Sequence, residues 1–97
     1  MISLESIIKY LTVLKALEEQ GFKNVRQSMV HRKVSTSYDY SYKIRNYLVL
    51  KDLISLKPLR KDSPYSFVQL TSKGYDFITS INKILTEALK WVKNLVL

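Results

Sequence analysis

The stretch STSYDYSYKIRNYLVLKDLI, residues 35–54, decides the predicted fold. It opens on three hydroxyl residues: Ser35, Thr36 and Ser37. Hydroxyl side chains accept hydrogen bonds from the free N–H groups of a first helical turn, and Asp39 follows early enough to favour the helix dipole. We therefore predict a helix of about four turns that begins near Tyr38. Leu53-Ile54 then begins a predicted strand.

The predicted helix has two contrasting faces, because successive residues are rotated by about 100°. One face is apolar and is predicted to pack against the core: Tyr40, Ile44, Tyr47 and Leu48. The other face is aromatic and polar, with Lys43 at its margin: Tyr38, Asp39, Tyr42, Arg45, Asn46 and Val49. An ordinary solvated helix face is mostly Glu and Lys. The second face is therefore predicted to be a binding surface.

The aromatic residues of this second face have two interpretations. Tyr38 and Tyr42 are either core residues beside solvated charges or contact residues, and large aromatic groups left in water usually mark a binding surface. Arg pairs with guanine, Asn pairs with adenine, and Tyr hydroxyls reach phosphates. We favour the contact interpretation, in which the stretch is the recognition helix of a winged helix-turn-helix.

The composition limits which kinds of functional site the chain can form. A chain of 97 residues with 46% hydrophobic content predicts one domain with a single core. Without cysteine, and with His31 as the single histidine, the chain lacks the residues for a thiolate or histidine-rich metal site or a conventional catalytic triad. The eight carboxylates are scattered, and Gly21 and Gly74 are the only glycines, so neither acid–base catalysis nor a phosphate loop is predicted. We expect no enzyme, metal, cofactor or small-molecule substrate.

The apolar segments predict no membrane insertion. No signal-peptide pattern opens the sequence, and charges interrupt every apolar run long before spanning length. We therefore expect a cytoplasmic protein associated with the nucleoid.

The positive charge is concentrated in one part of the sequence. Of the net charge of +8, residues 21–62 carry +7, with ten of the sixteen Lys and Arg, including all four arginines, against three acids. Such a concentration is typical of a nucleic-acid footprint, whereas solubilising charge is spread more evenly. An acidic protein or a membrane surface also attracts a basic patch, and charge alone does not separate these partners.

The first twenty residues predict an amphipathic helix that serves the core. Ser3 caps it and Gly21 ends it, with Phe22 available as the hydrophobic contact after a glycine cap. Its apolar stripe comprises Leu4, Ile7, Ile8, Leu11, Leu14 and Leu17.

A short second helix is predicted from Asn24 to about Val30, as the first helix of the helix-turn-helix pair. Its candidate buried residues are Val25, Met29 and Val30. The basic trio His31, Arg32 and Lys33 then ends the helix or begins the turn, and Val34 plugs the turn against the core. The trio either touches phosphates or favours the helix dipole, and these alternatives stay open.

Two strands after the recognition helix predict a β-hairpin, the wing. They are residues 53–57 and 65–70, joined by residues 59–64. Pro58 cannot donate a ladder hydrogen bond and is expected at an edge or where the pair opens. The cations near the tip either bind backbone phosphates, which we favour, or are ordinary solvated turn residues: Lys57, Arg60 and Lys61.

The last helix is predicted to begin at Ser72, after a Thr71 cap, and to run nearly to the end. It carries a heptad seam: Ile78, Ile81, Leu85, Ala88, Val92 and Leu95. Further apolar residues flank the seam: Phe77, Ile84, Leu89, Trp91 and Val96. A helix of roughly 37 Å is longer than so small a body can cover. We expect its outer half to pair with a second copy, the alternative being burial against the first helix; parallel and antiparallel pairing both remain open.

Two segments of the sequence resemble known proteins. STSYDYSYKIRNYLVLKDLI and FVQLTSKGYDFITSINKIL are similar to archaeal winged-helix DNA-binding families, in which the recognition helix runs into a "GLI" strand start and the wing returns into "LT-x-KG". Asp52 replaces the usual glycine, and Ser72 stands where an acid is common. The likeness is closest to small regulators and chromatin-associated proteins that dimerise through a terminal antiparallel coiled coil. It implies a homodimer on duplex DNA, without a cofactor.

These observations predict an α+β fold, mostly α, with a winged helix-turn-helix over residues 1–71 and a dimerisation helix over residues 72–97. The expected function is double-stranded DNA binding by a homodimeric, sequence-specific transcriptional regulator. Two alternatives are an architectural DNA-binding protein with little sequence preference and a protein-interaction adaptor that uses the tyrosine-rich face. The operator, the sign of regulation and any effector are not encoded in these patterns.

Overall fold

The computed structural model describes residues 2–58 and 66–96. The elements within these residues are α1 (Leu4–Glu19), β1 (Val25–Arg26), α2 (Gln27–Val34), α3 (Tyr38–Leu50), β2 (Ile54–Pro58), β3 (Ser66–Leu70) and α4 (Ser72–Val96). The predicted α+β class, mostly helical with a long C-terminal helix, is confirmed. None of the described helices is long and apolar enough to cross a membrane.

The first helix is capped at both ends as predicted. The Ser3 side chain accepts a hydrogen bond from the Ser6 N–H at 3.1 Å. At the other end Gly21 has a φ of 97°, and the Phe22 N–H donates to the Leu17 carbonyl at 3.2 Å, which is the bonding pattern of a glycine-terminated helix. The predicted stripe needs one correction. Leu4 lies in the first turn, away from the core, and is 61% exposed.

The second helix begins later than predicted. Val25 and Arg26 form a two-residue strand that pairs antiparallel with Val68 and Phe67, so the backbone there is extended and the helix starts at Gln27. The basic trio occupies the last turn of α2. Val34 is buried, as expected, and it is the final residue of the helix rather than part of the turn.

The third helix begins at Tyr38, as predicted, but a single hydroxyl residue caps it. The Ser37 side chain accepts from the Tyr40 N–H at 3.2 Å, whereas Ser35 ends α2 in a left-handed conformation with a φ of 55°. The buried face consists of Ser41, Ile44 and Leu48. The prediction that Tyr47 is a core residue was wrong, because its side chain lies at the margin of the face and is 37% exposed.

The exit from α3 resembles a glycine cap, although the residue there is Asp52. Its φ is 60°, and the Leu53 N–H donates to the Leu48 carbonyl at 2.9 Å. Aspartate tolerates the left-handed region better than most residues, because its short polar side chain can form local hydrogen bonds. The chain therefore turns into β2 where the related motif has glycine.

The sheet has three antiparallel strands in the order β1-β3-β2. β2 pairs with β3 from Ile54↔Leu70 to Pro58↔Ser66. The prediction for Pro58 is confirmed, because β2 is an edge strand and Pro58 ends its pairing. The predicted turn of residues 59–64, including Arg60 and Lys61, lies outside the described residues.

A buried polar chain links the first three helices, and the sequence pattern did not reveal it. The Tyr10 hydroxyl donates to Gln27 Oε1, and Gln27 Nε2 donates to Ser41 Oγ at 2.9 Å. All three side chains are buried. Because each of these buried polar atoms has at least one partner, the hydrogen bonds join α1, α2 and α3 without an unpaired buried polar atom.

We expect Tyr10→Phe to lower the free energy of unfolding by about 1–3 kcal/mol, because Gln27 Oε1 would be left buried without its donor. Urea unfolding followed by circular dichroism measures this loss. The matched control is Tyr75→Phe, which removes a hydroxyl from an exposed ring and should leave the unfolding midpoint unchanged. Equal unfolding midpoints for the two variants would show that the buried polar chain of Tyr10, Gln27 and Ser41 does not stabilise the fold.

The last helix starts against the core and then leaves it. Thr71 Oγ1 accepts from the Gly74 N–H at 3.0 Å, which confirms the predicted cap. The prediction that Ile78 belongs to the dimerisation seam was wrong, because its side chain is fully buried in the core of this chain; Ile81 is half-buried, and residues 83–95 are exposed. The longest dimension of the molecule is 57 Å, against 27 and 22 Å for the others. The outer half of α4 accordingly projects from the body.

Candidate nucleic-acid interface

The residues that α3 buries on its inner face determine which side chains point outward. Ile44 and Leu48 lie in the hydrophobic core, and Ser41 ends the buried polar chain. Tyr40 adds a second anchor to α1, since its hydroxyl accepts from the Ser3 N–H at 3.2 Å and bonds to Ser6 Oγ at 3.1 Å. The opposite face of α3 is therefore held outward on a rigid support.

Aromatic rings form a continuous row along this outer face. The His31 ring meets the edge of Tyr38 with centroids 5.0 Å apart, and the Tyr38 and Tyr42 rings lie 5.7 Å apart. The Arg45 guanidinium carbon then stacks 3.8 Å from the centre of the Tyr42 ring. The row crosses from the end of α2 to the middle of α3, and Tyr38 is 52% exposed. We call this surface, including the neighbouring Asn46, the aromatic row: His31, Tyr38, Tyr42, Arg45 and Asn46.

Asn46 completes the aromatic row by holding Arg45. The Asn46 Oδ1 atom accepts from Arg45 Nε at 3.2 Å and from Arg45 Nη2 at 2.9 Å. Neighbouring residues of a helix do not face each other, so both side chains must bend toward one point to make this contact. The guanidinium is thus fixed between a ring and an amide oxygen.

Two pKa shifts accompany this arrangement. Burial raises the pKa of the Tyr10 phenol well above its ordinary value, and the nearby positive charge of Arg45 opposes part of that rise. The hydrogen bond with the Ser6 hydroxyl, followed by the bonds from Ser3, lowers the pKa of Tyr40. Tyr10 consequently remains a neutral donor in the core.

The other predicted contact residues within the described ranges are exposed cations on α2, α3 and β2. Arg32 and Lys33 are exposed in the last turn of α2, Lys43 is exposed on α3, and Lys57 is exposed on β2. Lys51, which the predicted set left out, lies 5.6 Å from the centre of the Tyr47 ring. Arg60 and Lys61 lie outside the described residues.

His31 is the member of the row that sequence analysis placed differently. The sequence predicts that it touches phosphates or favours the helix dipole, whereas the structure places it half-buried against Tyr38. Its Nδ1 atom is buried without a hydrogen-bond partner in the described part of the chain. No local pattern signals this contact, because the two residues are seven positions apart and meet only when α2 and α3 pack.

A separate cleft of about 450 Å³ lies between α1 and the start of α4. Glu18 on its wall accepts a hydrogen bond from the Leu70 N–H at 3.3 Å. Burial raises the pKa of that carboxyl, and the Leu70 hydrogen bond opposes part of the rise. Residues 2–58 and 66–96 contain no group of three His, Asp or Glu side chains that could hold a metal ion. The cleft shares no residue with the aromatic row.

No protein-family model and no curated protein matches this sequence. Solved structures do match it. AF1382 from Archaeoglobus fulgidus gives a TM-score of 0.75 at 16% identity, over 90% of this chain and 91% of the other. A PadR-like transcription factor from Bacteroides fragilis gives 0.71 at 17% identity, over 95% and 89%. Streptococcus pneumoniae FabT in complex with DNA gives 0.70 at 17% identity, over 96% and 61%.

The fold is a winged helix-turn-helix. In this fold α2 and α3 are the helix-turn-helix pair, α3 stands at the position of the recognition helix, and β2 with β3 forms the wing. Among the similar structures, one is a PadR-like transcription factor and one is FabT in complex with DNA, and the prediction of a non-enzymatic chain agrees with them. Identities this low show the fold, so the function has to be argued from the aromatic row and its surroundings.

Proposed function

We propose that this protein binds double-stranded DNA as a homodimer and acts as a sequence-specific transcriptional regulator. One observation carries the proposal. The outer face of α3 presents Tyr38, Tyr42, Arg45 and Asn46, and these residues lie inside a segment that holds +7 of the net charge of +8. Such a surface combines attraction to phosphates with side chains that read base edges.

Each part of the surface has a distinct role in this proposal. Arg45 lies in the major groove, while Tyr38 and Tyr42 fill the groove and reach phosphates with their hydroxyls. Six cations are proposed to bind the DNA backbone and to carry no sequence information: Arg32, Lys33, Lys43, Lys57, Arg60 and Lys61. DNA binding in general, though none of these residue roles, is supported by the similar fold of FabT, which was solved in complex with DNA.

The homodimer is proposed from the outer half of α4. Its exposed apolar residues include Leu85, Leu89, Trp91, Val92 and Leu95, with Trp91 72% and Leu95 85% exposed in the single chain. Contiguous apolar surface of this kind marks an interface. Ala88 continues the seam, Ile81 lies at its inner end, and Ile78 belongs to the subunit's own core. A second copy provides an identical stripe, as a two-fold interface requires.

A dimer also explains how a small surface achieves specificity. Two recognition helices would bind half-sites about one helical turn of DNA apart, roughly 34 Å. In this proposal residues 1–71 form the DNA-binding unit and residues 72–97 the dimerisation helix. Kinship with small archaeal regulators is supported by the Leu70–Gly74 motif and by the fold shared with AF1382.

Titration of the protein into labelled random-sequence duplex DNA at several salt concentrations tests the proposal. We expect affinity to fall steeply with salt, and one unlabelled genomic fragment to compete at least about 10³-fold better than the others. Steep salt dependence with equal competition by all fragments would instead indicate an architectural protein. No binding at low salt would contradict the proposal and favour a protein partner for the basic surface.

Arg45→Ala is expected to weaken binding to a preferred duplex by about 1–3 kcal/mol and to random DNA by less, because the base contact is lost. Lys57→Ala is the matched control, since this exposed residue of β2 should contribute equally on every sequence. Fluorescence anisotropy with the preferred and the random duplex measures how much affinity each variant loses on each. Equal losses for Arg45→Ala on all sequences would exclude a base-reading role.

A further inference from the structure

The hydrogen bonds of Asn46 determine which of its atoms face Arg45. A guanidinium has only donors, so the amide atom directed at it must be the acceptor, Oδ1. That oxygen accepts two bonds at 3.2 and 2.9 Å. An asparagine reads adenine by accepting from N6 with its oxygen while donating to N7 with its nitrogen. With its oxygen already engaged by Arg45, Asn46 is poorly placed for that pairing.

The same bonds define which edge of Arg45 is presented. They use Nε–H and one N–H of Nη2, two of the five donors of the guanidinium. The adjoining edge, formed by Nη1 and Nη2, is the fork that pairs bidentately with guanine O6 and N7. The centre of the Tyr42 ring lies 3.8 Å from the guanidinium carbon, so the ring restrains the guanidinium from a second side. Arg45 is thus held by two neighbours before DNA arrives.

We infer that Arg45 is the guanine-reading residue and that Asn46 and Tyr42 are positioning residues for it. This inference rests on the proposed function and names the specificity of the same surface: the preferred duplex carries a guanine opposite Arg45, and Asn46 selects no adenine. A fixed guanidinium loses less conformational freedom on binding than a free one. The positioning residues therefore increase discrimination between bases more than they increase attraction to DNA.

The test uses the duplex enriched from a random pool by the intact protein, together with copies in which single guanines are replaced by 7-deazaguanine. For the unmodified protein, loss of N7 at one guanine in each half-site should weaken binding roughly tenfold. The guanine ratio is the affinity for the unmodified duplex divided by the affinity for the 7-deazaguanine duplex, and in Asn46→Ala it should fall toward one. In Asn46→Asp, which keeps an acceptor for Arg45, the ratio should persist, although the added charge weakens binding to every duplex alike.

A second pair of variants tests the stacking. Tyr42→Phe keeps the ring under Arg45 and should keep the 7-deazaguanine ratio, whereas Tyr42→Leu should reduce it. Lys43→Ala is the control on the same helix and should weaken binding without changing the ratio. Thermal unfolding verifies that each variant is folded.

The outcomes separate this inference from the proposed function. If Asn46→Ala retains the guanine ratio and instead loses sensitivity to 7-deazaadenine, Asn46 reads adenine directly and the inference is overturned while DNA binding stands. An unchanged guanine ratio in both Asn46→Ala and Tyr42→Leu also overturns the inference and leaves the proposed function standing. If the unmodified protein binds no duplex, the proposed function fails and the inference fails with it.

Discussion

Gly74→Ala should destabilise the protein by at least about 3 kcal/mol, because the added methyl group has no space. A Cβ at Gly74 would lie 2.8 Å from the carbonyl carbon of Leu53 and closer still to its oxygen. The obstacle is backbone and cannot rotate away. That carbonyl oxygen also accepts a hydrogen bond from the Thr71 N–H at 3.2 Å, so a shift would break the junction as well.

Gly21→Ala provides the control for this substitution. Nothing lies within 4 Å of the Cβ position at Gly21, but its φ of 97° strains any L residue. We expect a loss of about 1–2 kcal/mol from that strain. Urea unfolding of the two variants should therefore give clearly different midpoints. A loss for Gly74→Ala no larger than that for Gly21→Ala would mean that α4 can move away from Leu53 at little cost.

Val92→Glu should convert the proposed homodimer into a monomer and weaken binding to a two-half-site duplex by about 10²-fold or more. Val92 lies on the apolar seam in the exposed half of α4, so the change leaves the subunit core intact. Two glutamates, one from each copy, would have to be buried without partners in a symmetric interface, which costs far more than the contact contributes. Analytical ultracentrifugation and DNA titration measure the two effects.

Asn94→Glu is the matched control. It adds the same charge two residues along, on the polar side of the helix, and should leave both the oligomeric state and DNA affinity nearly unchanged. A Val92→Glu variant that remains dimeric would place the interface elsewhere. A monomeric unmodified protein would contradict the proposed homodimer itself.

The junction between α3 and α4 connects the two proposed functional surfaces. Thr71 Oγ1 donates to the Asp52 carbonyl at 2.7 Å, and Lys73 Nζ donates to the Lys51 carbonyl at 3.1 Å. Both acceptors lie at the C-terminal end of the recognition helix, and both donors lie at the start of the long helix. This link, together with the close approach at Gly74, fixes the direction of α4 relative to α3.

The recognition helix could be predicted closely because its signals are local. A hydroxyl cap, an early acid and an apolar repeat gave its start at Tyr38 and the buried positions Ile44 and Leu48. The long α4 and its Thr71 cap were predictable for the same reason. These features depend on neighbours within a few residues, which the sequence displays directly.

The features that were missed depend on contacts between distant residues. The Val25–Arg26 strand is too short to have a period and forms only because β3 pairs with it. Tyr10, Gln27 and Ser41 are polar residues that become core residues by bonding to one another. Within the candidate interface, the contact of His31 with Tyr38 and the engagement of Asn46 by Arg45 likewise require the folded arrangement.

We propose that the aromatic row is the DNA-contacting surface. Backbone amide and side-chain NMR spectra of the uniformly labelled protein, recorded during titration with the preferred duplex, test this proposal. We expect the largest chemical-shift changes on residues 38–46, including the Arg45 Nε–H, with smaller changes in the last turn of α2. Changes confined to the cleft between α1 and α4, with residues 38–46 unaffected, would contradict it.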